Sequence, residues 1–477
     1  RAGVRDGRGG FPVDSWGPRA RAAGAARVLG LPIEPGGMPM NIASRALHAA
    51  LVTVALITAA ATASAQSPPL SAADSDPVKL GWMVGSPPPP EKLIRWEDMS
   101  IYRFPQTRWS FANFRQLVPT TNVWRGDGPV APLPRALRDD IDAVAFTPLG
   151  RNETMTWAQS LEANYTDAIV VLHRGRIVYE RYFGVMAPHQ PHMAMSVTKS
   201  IFGTLGAMLV AEGKLDENAL VTKYIPELAG TAYGDATVRQ VLDMTIGVKY
   251  SENYADPKAE IWQHARAGGV FPRPPGYEGP TSFYGYLRTL RKEGEHGRAF
   301  AYKTVNTDVL GWLIRRATGQ TVGQVLSERI WQKLGAEHDA YLVIDSEGTE
   351  FAGGGFNSTV RDMARFGEMM RLGGRFNGKQ IVPQAVVDDI RRGADPAHFA
   401  KAGYATLPGW SYRNMWWVSH NEHGAFSARG IHGQAIYIDP KAEMVIARFG
   451  SHPLASNVNF DPTSLPAFHA LAKHLMR

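Results

Sequence analysis

The sequence predicts an α+β protein: an antiparallel β-sheet flanked by helices, with a mainly helical region inserted between its strands. Three observations carry this. The run Ala168-Ile169-Val170-Val171-Leu172-His173 and the run from Ile177 to Phe183 are β-rich and joined by Arg174-Gly175-Arg176, which reads as a hairpin. A second pair, Ala435 to Ile438 and Met444 to Phe449, flanks the turn Asp439-Pro440-Lys441-Ala442 near the C-terminus. Between the two pairs the apolar spacing is helical. Strands at both ends with helices between them give a sheet packed between helical layers.

Taken in order, residues 1–39 are Arg-, Gly- and Pro-rich, begin without Met and precede Met38 and Met40. They read as translated upstream sequence or a mis-called start. Residues 40–65 read as a secretory signal peptide: Arg45 supplies the positive end, Ala49 to Ala61 the apolar run, and Ala63-Ser64-Ala65 the cleavage site. That run is too short to span a bilayer comfortably. Residues 66–92 are Pro- and Ser-rich and read as a linker or extended arm. The remainder, 93–477, reads as the functional domain, with an α/β part at about 93–200 and 320–477 and a mainly helical part at about 201–319.

Within that domain, 93–150 holds aromatics without clear periodicity (Trp96, Phe104, Trp109, Phe111, Phe114, Trp124) and reads as a segment wrapped on the core. The first helix carries Ile201, Leu205, Met208 and Leu209 on one face and stops near Gly213. Asp308 to Thr318, closed by Gly319, is a second amphipathic helix, and Val360 to Leu372 a third. A last helix is expected from about Leu465 to Met476.

The chain contains no cysteine. Disulfides, thiolate nucleophiles and zinc-thiolate sites are thereby excluded, and an exported protein must be held by its core. The net charge of +7 falls to +3 once residues 1–65, with seven Arg and three acids, are set aside. No nucleic-acid partner is expected from so small an excess. There are 14 His but no H-E-x-x-H, so neither a catalytic metal nor any other cofactor is expected. The absence of G-x-S-x-G excludes the nucleophile elbow of α/β-hydrolases.

The chemistry starts at Ser196-Val197-Thr198-Lys199. Residues three apart on a helix share a face, and a neutral Lys amine there can take the Ser proton. Such a Ser at a helix N-terminus also sits where negative charge is favoured. By itself the motif is weak, because a chain this long shows about one by chance. Tyr302-Lys303-Thr304 adds a hydroxyl beside a Lys, suited to protonating a leaving group, although a core Tyr with a backbone partner fits the same residues. Ala428-Arg429-Gly430-Ile431-His432-Gly433-Gln434 adds small residues that let a backbone N–H approach a substrate oxygen.

In this order and spacing, the three segments resemble the serine β-lactamase/D,D-peptidase superfamily, and within its class C-related hydrolases the 6-aminohexanoate-dimer hydrolase branch. The likeness runs from about Gly81 to the C-terminus. It implies acylation of Ser196, with Lys199 as base and Tyr302 as proton donor. It also implies an oxyanion hole from the backbone N–H groups of Ser196 and Ile431, each donor lowering the barrier by roughly 3–4 kcal/mol. Tyr254, in the loop from Tyr250 to Pro257, matches a mobile Tyr that closes over an amide substrate; an aromatic that only packs its loop is the alternative. His432, Gly433 and Arg429 are the further substrate-binding candidates.

Two departures narrow the substrate. Thr304 stands where β-lactamases have Asn, and Ala428-Arg429-Gly430 or His432-Gly433 replaces the Lys-Thr-Gly that grips a β-lactam carboxylate. Arg429 is the candidate replacement anchor, since Arg binds carboxylates bidentately. The expected substrate is a small linear amide or carboxylic ester. Carboxylesterase and D-amino-acid peptidase activities are the alternatives, and a non-catalytic cell-wall-peptide binding protein is the reading from another class. The expected location is periplasmic or secreted, with no stable membrane span, and the resemblance implies a homodimer.

Overall fold

The computed structural model describes residues 68–477. The upstream segment 1–39 and the signal peptide 40–65 lie outside the described residues. The strands that matter for the site are β1 (Thr120–Val123), β2 (Thr166–His173), β3 (Arg176–Tyr182), β4 (His192–Met193), β5 (Ala340–Val343), β6 (Phe356–Ser358), β7 (Ser411–Arg413), β8 (Trp416–Val418), β9 (Phe426–Arg429), β10 (Ala435–Asp439) and β11 (Met444–Gly450). The helices are α1 (Val197–Ala211), α2 (Glu260–Ala267), α3 (Val305–Thr318), α4 (Val360–Arg371) and α5 (Asp461–Leu475).

The main sheet has seven strands in the order β7-β8-β9-β10-β11-β2-β3, and every neighbouring pair is antiparallel. The N-terminal hairpin therefore joins the C-terminal strands through β11 and β2, where Val170 faces Ala447 and Ile169 faces Arg448. Strand β2 is apolar without alternation because both faces are covered. Ala168, Val170 and Leu172 point into the core that holds α1 and α4, whereas Ile169 and Val171 meet Phe468, Leu471 and Leu475 of α5. The start of β3's outer rim is covered by residues 134–138: Ile177 N donates to Pro134 O, Ala136 N to Ile177 O and Arg138 N to Val178 O, at 2.8–2.9 Å. The opposite rim, β7, is three residues long.

A smaller antiparallel sheet, β1-β5-β6-β4, lies beside the start of α1. Between Met193 and Ala340 the described chain forms helices, turns and isolated bridges but no named strand, matching the expected helical insertion. No helix among the described residues is long and apolar enough to cross a membrane.

Three expectations shift. Helix α1 is not amphipathic: every residue from Val197 to Leu209 is buried. Its two glycines make this packing feasible, since a Cβ on Gly203 would stand 2.1 Å from the Asn414 carbonyl oxygen. Helix α3 begins at Val305, a turn earlier than Asp308. Helix α5 begins at Asp461, with Pro462 in its first turn, where a missing N–H costs nothing. Within the Pro/Ser-rich stretch, Trp82 and Met83 pack on a cluster formed by Ile94, Ile101, Phe111, Phe114 and Met195.

Candidate active site

Ser196 sits at the N-cap of α1 with helical backbone angles, and its side chain makes no capping bond. The turn that presents it is held from both sides. Met193 N donates to Phe111 O (2.8 Å), Ala194 N to Phe356 O (2.9 Å), and Phe356 N to Thr198 Oγ1 (3.1 Å). Met195, directly before the Ser, has φ +48°, a left-handed conformation that costs a non-glycine residue of order 1–2 kcal/mol. Such local strain persists where the surroundings over-determine it.

The Ser196 hydroxyl, left uncapped, accepts a hydrogen bond from Lys199 Nζ at 2.9 Å. The same amine donates to the Gly353 carbonyl at 2.5 Å and lies 5.1 Å from the centre of the Tyr302 ring. Lys199 is only 1% exposed. Burial pulls its pKa down to about 8, against the opposing charges of Glu252 and Asp308. Gly353 is held in turn by Asp308, whose carboxylate accepts from Gly353 N at 3.0 Å. A Cβ at Gly353 would stand 2.3 Å from Thr304 Cγ2, so glycine is required for this approach.

Tyr302 borders the same space, packed against Trp417 with ring centres 5.3 Å apart. Burial holds its phenol well above the usual tyrosine range; Glu252 adds to this and the Ser196 hydroxyl opposes it. Ile431 follows β9, and its N–H and that of Ser196 donate to no acceptor among the described residues. Ser196 and Ile431 line the same cavities, so both N–H groups belong to the walls that a substrate carbonyl would meet.

Ser196 opens on two cavities, of about 380 and about 420 Å³, which share Ser196, Tyr254 and Ile431 in their walls. Tyr302, Trp417 and Arg429 line the first; Trp262, Phe271, Phe351 and His432 line the second. Tyr254 stands at the junction, its hydroxyl donating to Glu252 Oε2 at 3.2 Å and its ring packed edge-on to Trp262. His432 has Nδ1 2.7 Å from the His452 carbonyl, and burial takes its pKa down to about 4. A neutral ring whose Nδ1–H is given to that carbonyl keeps Nε2 as an acceptor.

Two expected binding residues are placed differently. Gly433 lies behind the cavities and is absent from their walls: its carbonyl accepts from Arg448 Nε at 2.9 Å, and its φ of +102° turns the chain into β10. Arg429 does reach the first cavity, but its guanidinium is bonded to Asp461 and lies over the faces of Trp410 and Trp417. A substrate carboxylate would have to compete with Asp461 for it.

Sequence reasoning missed Glu252, Gly353, Asp308 and Asp461. Glu252 joins two loops, since its carboxylate also accepts from the backbone N–H of Thr304. The glycine run 353–355 was a usable signal, because consecutive glycines mark close backbone approach.

Comparison with known proteins places these features in a family. The Beta-lactamase family matches residues 158–456. The 6-aminohexanoate-dimer hydrolase of Paenarthrobacter ureafaciens is 39% identical over 362 residues, covering 76% of this chain and 88% of the relative. A solved structure from Bacillus anthracis, assigned to 6-aminohexanoate-dimer hydrolase, superposes with a TM-score of 0.74 at 34% identity, covering 81% of this chain and 98% of that one. EstCE1, a hydrolase with promiscuous acyltransferase activity, shares the fold at a TM-score of 0.54 and 14% identity, over 66% of this chain and 96% of its own. The chain belongs to the beta-lactamase family and is a hydrolase of the 6-aminohexanoate-dimer hydrolase type.

Proposed function

We propose that the protein hydrolyses short linear amides and carboxylic esters through an acyl-enzyme on Ser196, with 6-aminohexanoate dimer as the amide prototype. The observation that carries this is the buried 2.9 Å contact between Lys199 Nζ and Ser196 Oγ. An amine with a pKa of about 8 is substantially neutral near that pH and can remove the Ser proton. As Oγ bonds to the carbonyl carbon, the oxygen takes up negative charge beside the N–H groups of Ser196 and Ile431. Collapse breaks the bond to the leaving nitrogen or oxygen, which receives a proton from Tyr302. Water then attacks the acyl-enzyme by the reverse sequence, and Ser196 regains its proton.

The paired cavities support a linear substrate, one for the acyl half and one for the leaving half, with Tyr254 at the junction. Their aromatic walls suit methylene chains. The engagement of Arg429 by Asp461 supports the reading against β-lactams, since Arg429 is already paired and is not a free substitute for the missing Lys of Lys-Thr-Gly. The sequence at 40–65 supports action in the periplasm or outside the cell.

Mass spectrometry of 6-aminohexanoate dimer, alongside p-nitrophenol release from a short-chain ester, tests the proposal. Wild type is expected to cleave both, and Ser196→Ala neither. Rapid ester cleavage with intact dimer would favour the carboxylesterase reading, and no turnover of either would leave the peptide-binding reading in place.

A further inference from the structure

Away from Ser196, the turn between β8 and β9 brings Glu422 and His423 against His469 of α5. One ligand atom from each lies within 4.8 Å of the other two. His423 is nearly fully buried, and its Nδ1 is 2.7 Å from Asp439 Oδ2 at the end of β10. That contact fixes the tautomer: Nδ1 carries the proton, and Nε2 is left as a lone-pair donor. His469 Nε2 is 3.2 Å from Glu422 Oε1, and its Nδ1 is buried without a partner among the described residues. The two rings are 4.8 Å apart. Asn421 stiffens the turn, its side-chain oxygen accepting from the backbone N–H of both His423 and Ala425.

We infer that Glu422, His423 and His469 form a binding site for a divalent transition metal of the Zn²⁺ type. Two imidazoles and a carboxylate, with a carboxylate behind one imidazole, are a three-ligand zinc set with water in the fourth position. Tetrahedral bonds of about 2.0–2.1 Å put neighbouring donors about 3.3 Å apart, a spacing His469 and Glu422 already have. Lys473, whose Nζ is 3.8 Å from the same Glu422 oxygen, is half-exposed and free to swing away. In a chain without cysteine, such a metal clips the β8–β9 turn to α5. Strand β9 and α5 also carry Arg429 and Asp461, so the clip fixes the two elements that hold one cavity wall in register.

The test is a Zn²⁺ titration of tag-free, chelator-stripped full-length protein, followed by calorimetry and thermal unfolding, with Mg²⁺ as the hard-cation control. The expected result is one equivalent of bound Zn²⁺, no response to Mg²⁺, and a Tm rise of about 3 °C at hundred-fold excess over Kd. His469→Gln is expected to abolish the site while leaving metal-free Tm and ester turnover unchanged. Asp439→Asn is expected to weaken binding about 10–100-fold. Absence of saturable one-equivalent binding would overturn the inference, as would equal affinity in wild type, His469→Gln and Glu422→Gln.

Discussion

Arg429 and Asp461 are bonded to each other inside the wall of the cavity that Ser196 faces, both side chains about 95% buried. Removing one partner of such a pair leaves a buried charge alone. Arg429→Met and Asp461→Leu are each therefore expected to destabilise the fold by about 3–5 kcal/mol. The double variant Arg429→Met/Asp461→Leu is expected to lose much less than the single changes combined. Urea unfolding of the four proteins measures the coupling, and additive losses would show that the pair is not linked.

Lys199 serves activity at a cost in stability. Its folded pKa of about 8 lies below the ordinary 10.5. Between those values the unfolded chain holds a proton that the folded chain lacks, so stability rises with pH across that window, and the burial penalty is full below pH 8. Turnover is expected to rise with pH through about 8, falling roughly ten-fold per unit on the acid side. Lys199→Met is expected to abolish acylation and to raise Tm at pH 7 by a few degrees, about 3 kcal/mol being the scale of the relieved penalty. An unchanged or lower Tm at pH 7 would contradict this.

Glu252 lies behind the reacting groups and raises the pKa of both Lys199 and Tyr302. Glu252→Gln removes the charge and keeps most of the shape. Both limbs of the pH–rate profile are expected to move to lower pH together. A profile with unmoved limbs would mean that the carboxylate acts only as a link to Thr304 and Tyr254.

Tyr302→Phe separates amide from ester chemistry. An amine cannot leave unprotonated, whereas p-nitrophenolate can. Amide turnover is expected to fall about 10²–10⁴-fold, and p-nitrophenyl ester turnover far less. Equal losses on both substrates would assign Tyr302 to an earlier step than leaving-group departure.

What the sequence made legible follows from distance along the chain. The Ser196–Lys199 contact spans one helical turn and is visible as spacing. The hairpin at 174–176 and the β10–β11 turn are equally local. Gly353 reaches Lys199 from 154 residues away, Glu252 reaches Thr304 from 52, and Asp461 reaches Arg429 from 32, with no periodicity to announce them. Arg429 read as a free anchor because its partner belongs to another element. Gly433 read as a wall residue because a glycine's role depends on which way its carbonyl turns. Helix α1 read as amphipathic because burial on its polar side comes from Asn414 and Met415, two hundred residues on.

Residues 134–138 satisfy the start of β3's outer rim at Ile177 and Val178, and β7 ends the sheet after three residues. Neither border offers the long row of unpaired backbone groups that strand addition needs. Strand addition by a second copy is therefore disfavoured at both borders of the main sheet. The same arrangement shields the main sheet of concentrated protein from sheet-to-sheet aggregation.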